Sequence, residues 1–177
     1  MFLALKKALI KLAIAQTHFT TVCLEFGTGY YDPGRSEVNL FEKETTDILI
    51  HYAKTFIGKP YLWGGNGVRG FDCSGFVQEV LKCVGLDPKG DQTAQGLYNY
   101  FTKRSKGSGV AAGSLLFWGR DIDRITHVSI AIDYFYHIEA GGGNSKTINK
   151  EIAEKQGAMV RIRPLKSRKD LIAAIKI

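Results

Sequence analysis

Three cysteines in 177 residues are too few for a disulfide framework. With only four histidines besides, no second Cys or His falls at the spacing of a zinc site, so no metal is expected. No run of about 18 apolar residues occurs, so no helix is long and apolar enough to cross a membrane. Repeats at solenoid or propeller periods are absent. The net charge is +7, from 24 Lys and Arg against 17 Asp and Glu. Yet the basic residues are scattered, in small clusters such as Lys103-Arg104-Ser105-Lys106. There is no basic stripe interleaved with aromatics and no nucleic-acid motif. Nucleic acid is therefore not an expected partner, and a solvated basic surface, or contact with anionic envelope polymers, is the reading that remains.

What is present fits one domain with a real core: 45% of residues are hydrophobic and 23% charged. Residues 1–40 read as an amphipathic segment and connector, and 41–177 as the domain. In residues 1–16 the lysines at 6, 7 and 11 fall on one side of a helix and Leu5, Leu9 and Leu12 on the other. This favours an amphipathic helix that docks on the domain or on a membrane surface. A secretory signal is the weaker reading, because Lys11 interrupts the apolar stretch. Residues 17–38 read as a connector with a turn at Asp32-Pro33-Gly34. Apolar periodicity predicts helices over 45–57, from Cys73 to Gly85 and over 92–101. Period-two runs then predict strands over 115–118, 127–132, 134–140 and 159–163, and a closing helix capped by Ser167 follows. Helices first and strands second predict an α+β fold, with helices packed on an antiparallel sheet.

Cys73 lies in Phe71-Asp72-Cys73-Ser74-Gly75, after a glycine-rich stretch and at the start of the second helix. Unpaired N–H groups and the dipole at a helix N-terminus favour an anion, and so a nucleophilic thiolate. The same N–H groups can hold an oxyanion, and Asp72 is the natural N-cap. Cys83 near the far end of that helix, and Cys23, read as small core or boundary residues. A nucleophilic cysteine needs a base. His51 falls beside the apolar face of the first helix and reads as structural. His127 opens a strand in Thr126-His127-Val128, where it faces a helix N-terminus in the manner of papain-like Cys–His sites. The third group must accept the other imidazole N–H. His137 and Glu139, two apart on one strand, point to one face and either can serve. Trp63 and Trp118 are candidates to line a cleft, and Tyr134-Phe135-Tyr136 to pack.

These stretches resemble the NlpC-type cell-wall peptidases, bacterial cysteine hydrolases of papain-like fold. The likeness runs through Gly58-Lys59-Pro60-Tyr61-Leu62-Trp63-Gly64-Gly65, Phe71 to Val77, Gly113 to Trp118, Thr126 to Ile130 and Tyr136 to Gly142. It covers residues 45–145 in order. The resemblance implies hydrolysis of peptide bonds in peptidoglycan stem peptides, between D-γ-glutamyl and a diamino acid, without a cofactor. It makes Cys73 the nucleophile, His127 the base, and Tyr61, Trp63, Asp72 and Ser74 the substrate-facing residues. Ser114 stands where the family usually has Asp, which should alter a loop contact only. Glu139 stands where many members have His, with His137 as the fallback.

Other readings are weaker. Gly65, Gly67 and Gly70 satisfy G-x-G-x-x-G, but they follow a helix and Pro60, not a buried parallel strand. Asp121 and Asp123 read as a solvated loop before a cation site. An amidase or acyltransferase on the same Cys–His pair, or a non-catalytic wall-binding module, is the functional alternative. The bacterial envelope is the expected site of action, reached as a phage lysin, or else the chain acts in the cytoplasm on recycled wall peptides.

Overall fold

In a computed structural model, residues 33–67 and 69–177 are described; the expected amphipathic helix at 1–16, His18 and Cys23 lie outside them. Four helices are described: α1 (Pro33–Lys54), α2 (Cys73–Cys83), α3 (Ala94–Thr102) and α4 (Lys150–Gln156). Two short strands, β1 (Asn66–Gly67) and β2 (Gly70–Phe71), form a hairpin. The main sheet holds β3 (Gly107–Ser108), β4 (Leu115–Gly119), β5 (Ile125–Ala131), β6 (Tyr136–Gly141), β7 (Met159–Pro164) and β8 (Leu171–Lys176). Its order is β3-β8-β4-β5-β6-β7, with neighbours antiparallel. This is the expected α+β arrangement.

The core follows from the two periodicities. Phe76, Val77, Val80 and Leu81 form one face of α2 and meet Val128 and Ile130 of β5 and Ile138 and Ala140 of β6. Phe56, Phe71 and Phe76 add mutual edge-to-face contacts. On the opposite face of the sheet, Leu116, Trp118 and Ala131 form a smaller cluster, on which Val110, Leu165 and Ala174 pack. That second face also carries His127 of β5 and His137 and Glu139 of β6.

Several expectations need correction. The first helix spans Pro33–Lys54 and not 45–57, so the connector expected over 17–38 gives way to helix at Pro33. Proline is well tolerated at a first helical position because its missing N–H has no intrahelical acceptor to lose there. Leu49, Ile50 and Ala53 bury, whereas Ile48 and Ile57 are exposed. His51 is exposed as well. The closing helix is instead strand β8, inserted between β3 and β4; Ser167 ends a 3-10 turn (Leu165–Ser167) and caps nothing with its side chain. Tyr134 and Phe135, 68% exposed at the β5–β6 turn, pack edge-on against each other at 5.4 Å and not in the core. Cys83 is exposed and Trp118 is fully buried, so neither a core role for the former nor a cleft role for the latter holds.

Helix α4 was not foreseen, although its ends are marked. Asn149 caps it through Ile152 N–H and Gly157 closes it in the left-handed region at φ 61°. Only Ala153 of that helix is buried, so it lacks the apolar stripe by which helices are read.

The aromatic knot at Phe76 is where α2 is fixed to the rest of the core. Phe76→Ala should cost about 3–5 kcal/mol, read as a lower urea midpoint with unchanged slope.

Candidate active site

The position of Cys73 is set by how α2 begins. Asp72 is extended, and its Oδ1 accepts from Gly75 N–H at 2.8 Å and from the Ser74 hydroxyl at 2.9 Å. Its Oδ2 accepts from Gly64 N–H at 3.1 Å, and its own N–H donates to Gly65 O at 2.8 Å. One residue therefore caps the helix and ties the glycine-rich loop across its mouth. The approach is close: a Cβ on Gly75 would collide with Gly65 O. Cys73 is left 8% exposed at the first turn, where its own amide and that of Ser74 have no intrahelical acceptor.

The segment before the loop is pinned to the sheet edge. Tyr61 N–H donates to Ala158 O, Val160 N–H to Lys59 O, and Trp63 N–H to Thr147 O. Tyr61 is buried, and its ring lies so near Gly143 that a Cβ there would overlap it. Burial pushes the Tyr61 phenol well up, with the neighbouring Cys73 and Asp72 adding to it. Trp63 is 57% exposed, on the same loop that Asp72 holds.

His127 comes from β5, opposite Trp118 of β4. Its Nε2 lies 2.8 Å from Glu139 Oε2, and the Cys73 thiol is its other side-chain partner. In the sequence Cys73 lies far from the other two, while His127 and Glu139 are 12 residues apart. The β5–β6 ladder pairs Ile130 with Ile138 and Ala131 with His137. Toward the site it is the His127–Glu139 side-chain bond that links the strands. Gly141 makes room, since a Cβ there would sit 2.6 Å from Glu139 Oε1.

The charge states follow from burial set against partners. Burial disfavours the imidazolium of His127, but hydrogen bonds to Cys73 and Glu139 outweigh it and push His127 up to about 9. Burial also disfavours the Glu139 anion, yet the bond to His127 and the surrounding positive groups hold it down at about 2. At neutral pH the pair is imidazolium and carboxylate.

Of the two residues left open as third member, Glu139 meets His127 and His137 does not. His137 is fully buried, both of its ring nitrogens lack a partner, and it lies against the Trp118 ring at 5.2 Å. Burial above all pushes it down to about 4, so it is neutral near pH 7. Ser114 makes loop contacts with Ala111 N–H and Gly109 O. Asp121 pairs with Arg124 in an exposed loop. A groove of about 690 Å³ lined by Tyr98, Val110 and residues of β8 is separate from Cys73 and His127.

These states give stability a pH optimum. His127, raised from 6.5, contributes stability in full below pH 6.5 and loses it as pH rises through about 9. His137, lowered from 6.5, resists protonation in the fold, so stability falls as pH drops from 6.5 through about 4. Glu139 loses its contribution only as pH falls from 4.5 through about 2. The melting temperature should peak near pH 6.5. His137→Phe should flatten the flank between pH 4 and 6.5 and leave the alkaline flank in place; an unchanged acid flank would contradict this assignment.

Known proteins resemble this chain in sequence and fold. A 32% identical relative over 129 residues is the gamma-D-glutamyl-L-lysine dipeptidyl-peptidase of Bacillus subtilis, which aligns with 68% of this chain and 42% of its own length. A probable endopeptidase p60 of Listeria grayi is 42% identical over 84 residues, 48% of this chain and 16% of the relative. The chain thus spans less than half the length of these curated relatives. Among solved structures, the NlpC/p60 domain of peptidoglycan hydrolase SagA superposes with a TM-score of 0.54 at 28% identity, covering 75% of this chain and 98% of that one. The family profile described as NlpC/P60 matches residues 58–168, which include the loop, the cysteine, the histidine and the glutamate; the chain belongs to the NlpC/P60 family.

Proposed function

We propose that residues 41–177 form a cysteine endopeptidase domain that hydrolyses peptide bonds in peptidoglycan stem peptides, at a D-γ-glutamyl–diamino acid linkage, through a thiol acyl-enzyme. The single observation that carries this reading is the buried His127–Glu139 pair, 2.8 Å apart, with Cys73 at the N-terminus of α2 acting on the same imidazole. Family membership and the names of the relatives support the substrate class.

In this mechanism His127 holds the proton of Cys73, and the sulfur attacks the scissile carbonyl carbon. The oxyanion that forms is met by the first-turn amides of α2. His127 passes its proton to the leaving amine as the C–N bond breaks, which leaves a thioester on Cys73. Water, giving a proton to His127, then attacks the thioester; the carboxylate product departs and the thiol is restored. Glu139 accepts a hydrogen bond from His127 Nε2–H, which orients the ring and supports its positive form. Tyr61, Trp63, Asp72 and Ser74 border the substrate. Asp72 presents a carboxylate there, and Trp63 an exposed ring.

Cys73→Ala should abolish release of new amino groups from purified cell walls, a loss of at least about 10³-fold, in a protein that melts like the parent. Retained turnover would end this reading, and wall binding without product by the parent protein would favour a binding module. Glu139→Gln should lower kcat at least about tenfold. It should also move the basic limb of kcat/KM below its position near pH 9, because the imidazolium loses its anionic partner.

A further inference from the structure

Glu139 has a second oxygen that His127 does not use. Oε1 faces two guanidinium groups, at 3.7 Å from Arg161 Nε and 3.9 Å from Arg163 Nη1. Strand register puts them there. Glu139 pairs with Arg161 and His137 with Arg163 across β6 and β7, and the two-residue spacing sends both arginines to the face of the sheet that carries Glu139. Arg161 is anchored by Nη1, which donates to Gly157 O at 3.1 Å, while its buried Nε makes no hydrogen bond and points its charge at the carboxylate.

The other charged or titratable groups around Glu139 have different engagements. His127 of β5 shares its proton with Oε2 and has Cys73 of α2 as its other partner. His137 of β6 is neutral near pH 7. Arg168, after the 3-10 turn, also favours the Glu139 anion through space, but it makes no ion pair with that carboxylate: both oxygens of Asp170 match it at 3.0 and 2.6 Å, and it lies over the Trp118 ring. Arg161 and Arg163 have no such carboxylate besides Glu139 among the described residues.

We propose that Arg161 and Arg163 are positioning residues that act through Glu139: they are the counter-charge that keeps a buried carboxylate, and not a neutral acid, behind His127. The inference rests on the reading of Glu139 given under the proposed function. It also accounts for how a carboxylate can stand at so buried a position. A neutral imidazole needs no cation behind it, whereas a carboxylate with 2% exposure does.

The test uses the full chain with Arg161→Gln and Arg163→Gln together, the matching Lys pair, and each pair in a Glu139→Gln background. The readouts are kcat/KM against pH on a stem peptide and the ¹⁵N resonances of the His127 ring. The Gln pair should raise the acid limb by about one to three pH units, and the His127 Nε2 resonance should shift with the same midpoint. The Lys pair should keep the parental limb. In the Glu139→Gln background the Gln pair should no longer raise the acid limb, since no carboxylate remains to protonate. A folded Gln pair with the parental acid limb overturns the proposal, while a loss of kcat in Glu139→Gln keeps the site reading intact. Parental kcat and basic limb in Glu139→Gln would remove the site reading and this proposal together. Should the Gln pair not fold, Arg161→Gln alone carries the same test with a shift of about one unit, and no shift overturns it.

Discussion

An ionised pair held almost out of water governs this structure. Glu139 is 2% and His127 8% exposed, and neither charge would persist alone in such surroundings. Together, 2.8 Å apart, each supplies what burial takes from the other. The demand spreads outward from there. Gly141 must lack a side chain to admit the carboxylate, and β7 must keep the register that brings arginines to its second oxygen. Removing one member leaves an unpaired charge inside the protein, which costs more than the pair contributes while intact.

The second constraint is the seating of a helix end. Asp72 caps α2, holds Ser74 and binds Gly64 N–H with one carboxylate, so the helix start and the loop move as one piece. That piece is fixed to the sheet through Tyr61 and Trp63 at their backbones and through Phe71 and Phe76 in the core. Core packing of α2 against β5 therefore sets the distance between the sulfur and the imidazole. Stability and chemistry share these contacts, whereas the fully buried His137 beside them weighs only on stability in acid.

Much of the fold was legible from residue order. The stripe of α2, the Asp72 cap and the strands β4 to β7 all carry their own local signals. Strand β8 does not. Leu171, Ile172 and Ile175 match helical spacing, and the alanines between them favour helix. Its ladder partners are β4 and β3, some sixty residues earlier, and such pairing overrides local propensity without leaving a trace in the local pattern. Helix α4 failed for the opposite reason: it had clear caps but almost no apolar face.

At the site, residue chemistry and spacing were enough to single out Cys73 and His127, because a cap, a helix start and a strand start are local features. The choice between His137 and Glu139 was not open to such reasoning. Both project from one face of β6, and a period of two treats them alike. Only the three-dimensional approach of the strands puts a carboxylate against His127 and leaves the neighbouring imidazole on Trp118. The cations behind Glu139 were equally hidden, since cross-strand register is a relation between distant segments and appears once the sheet has formed.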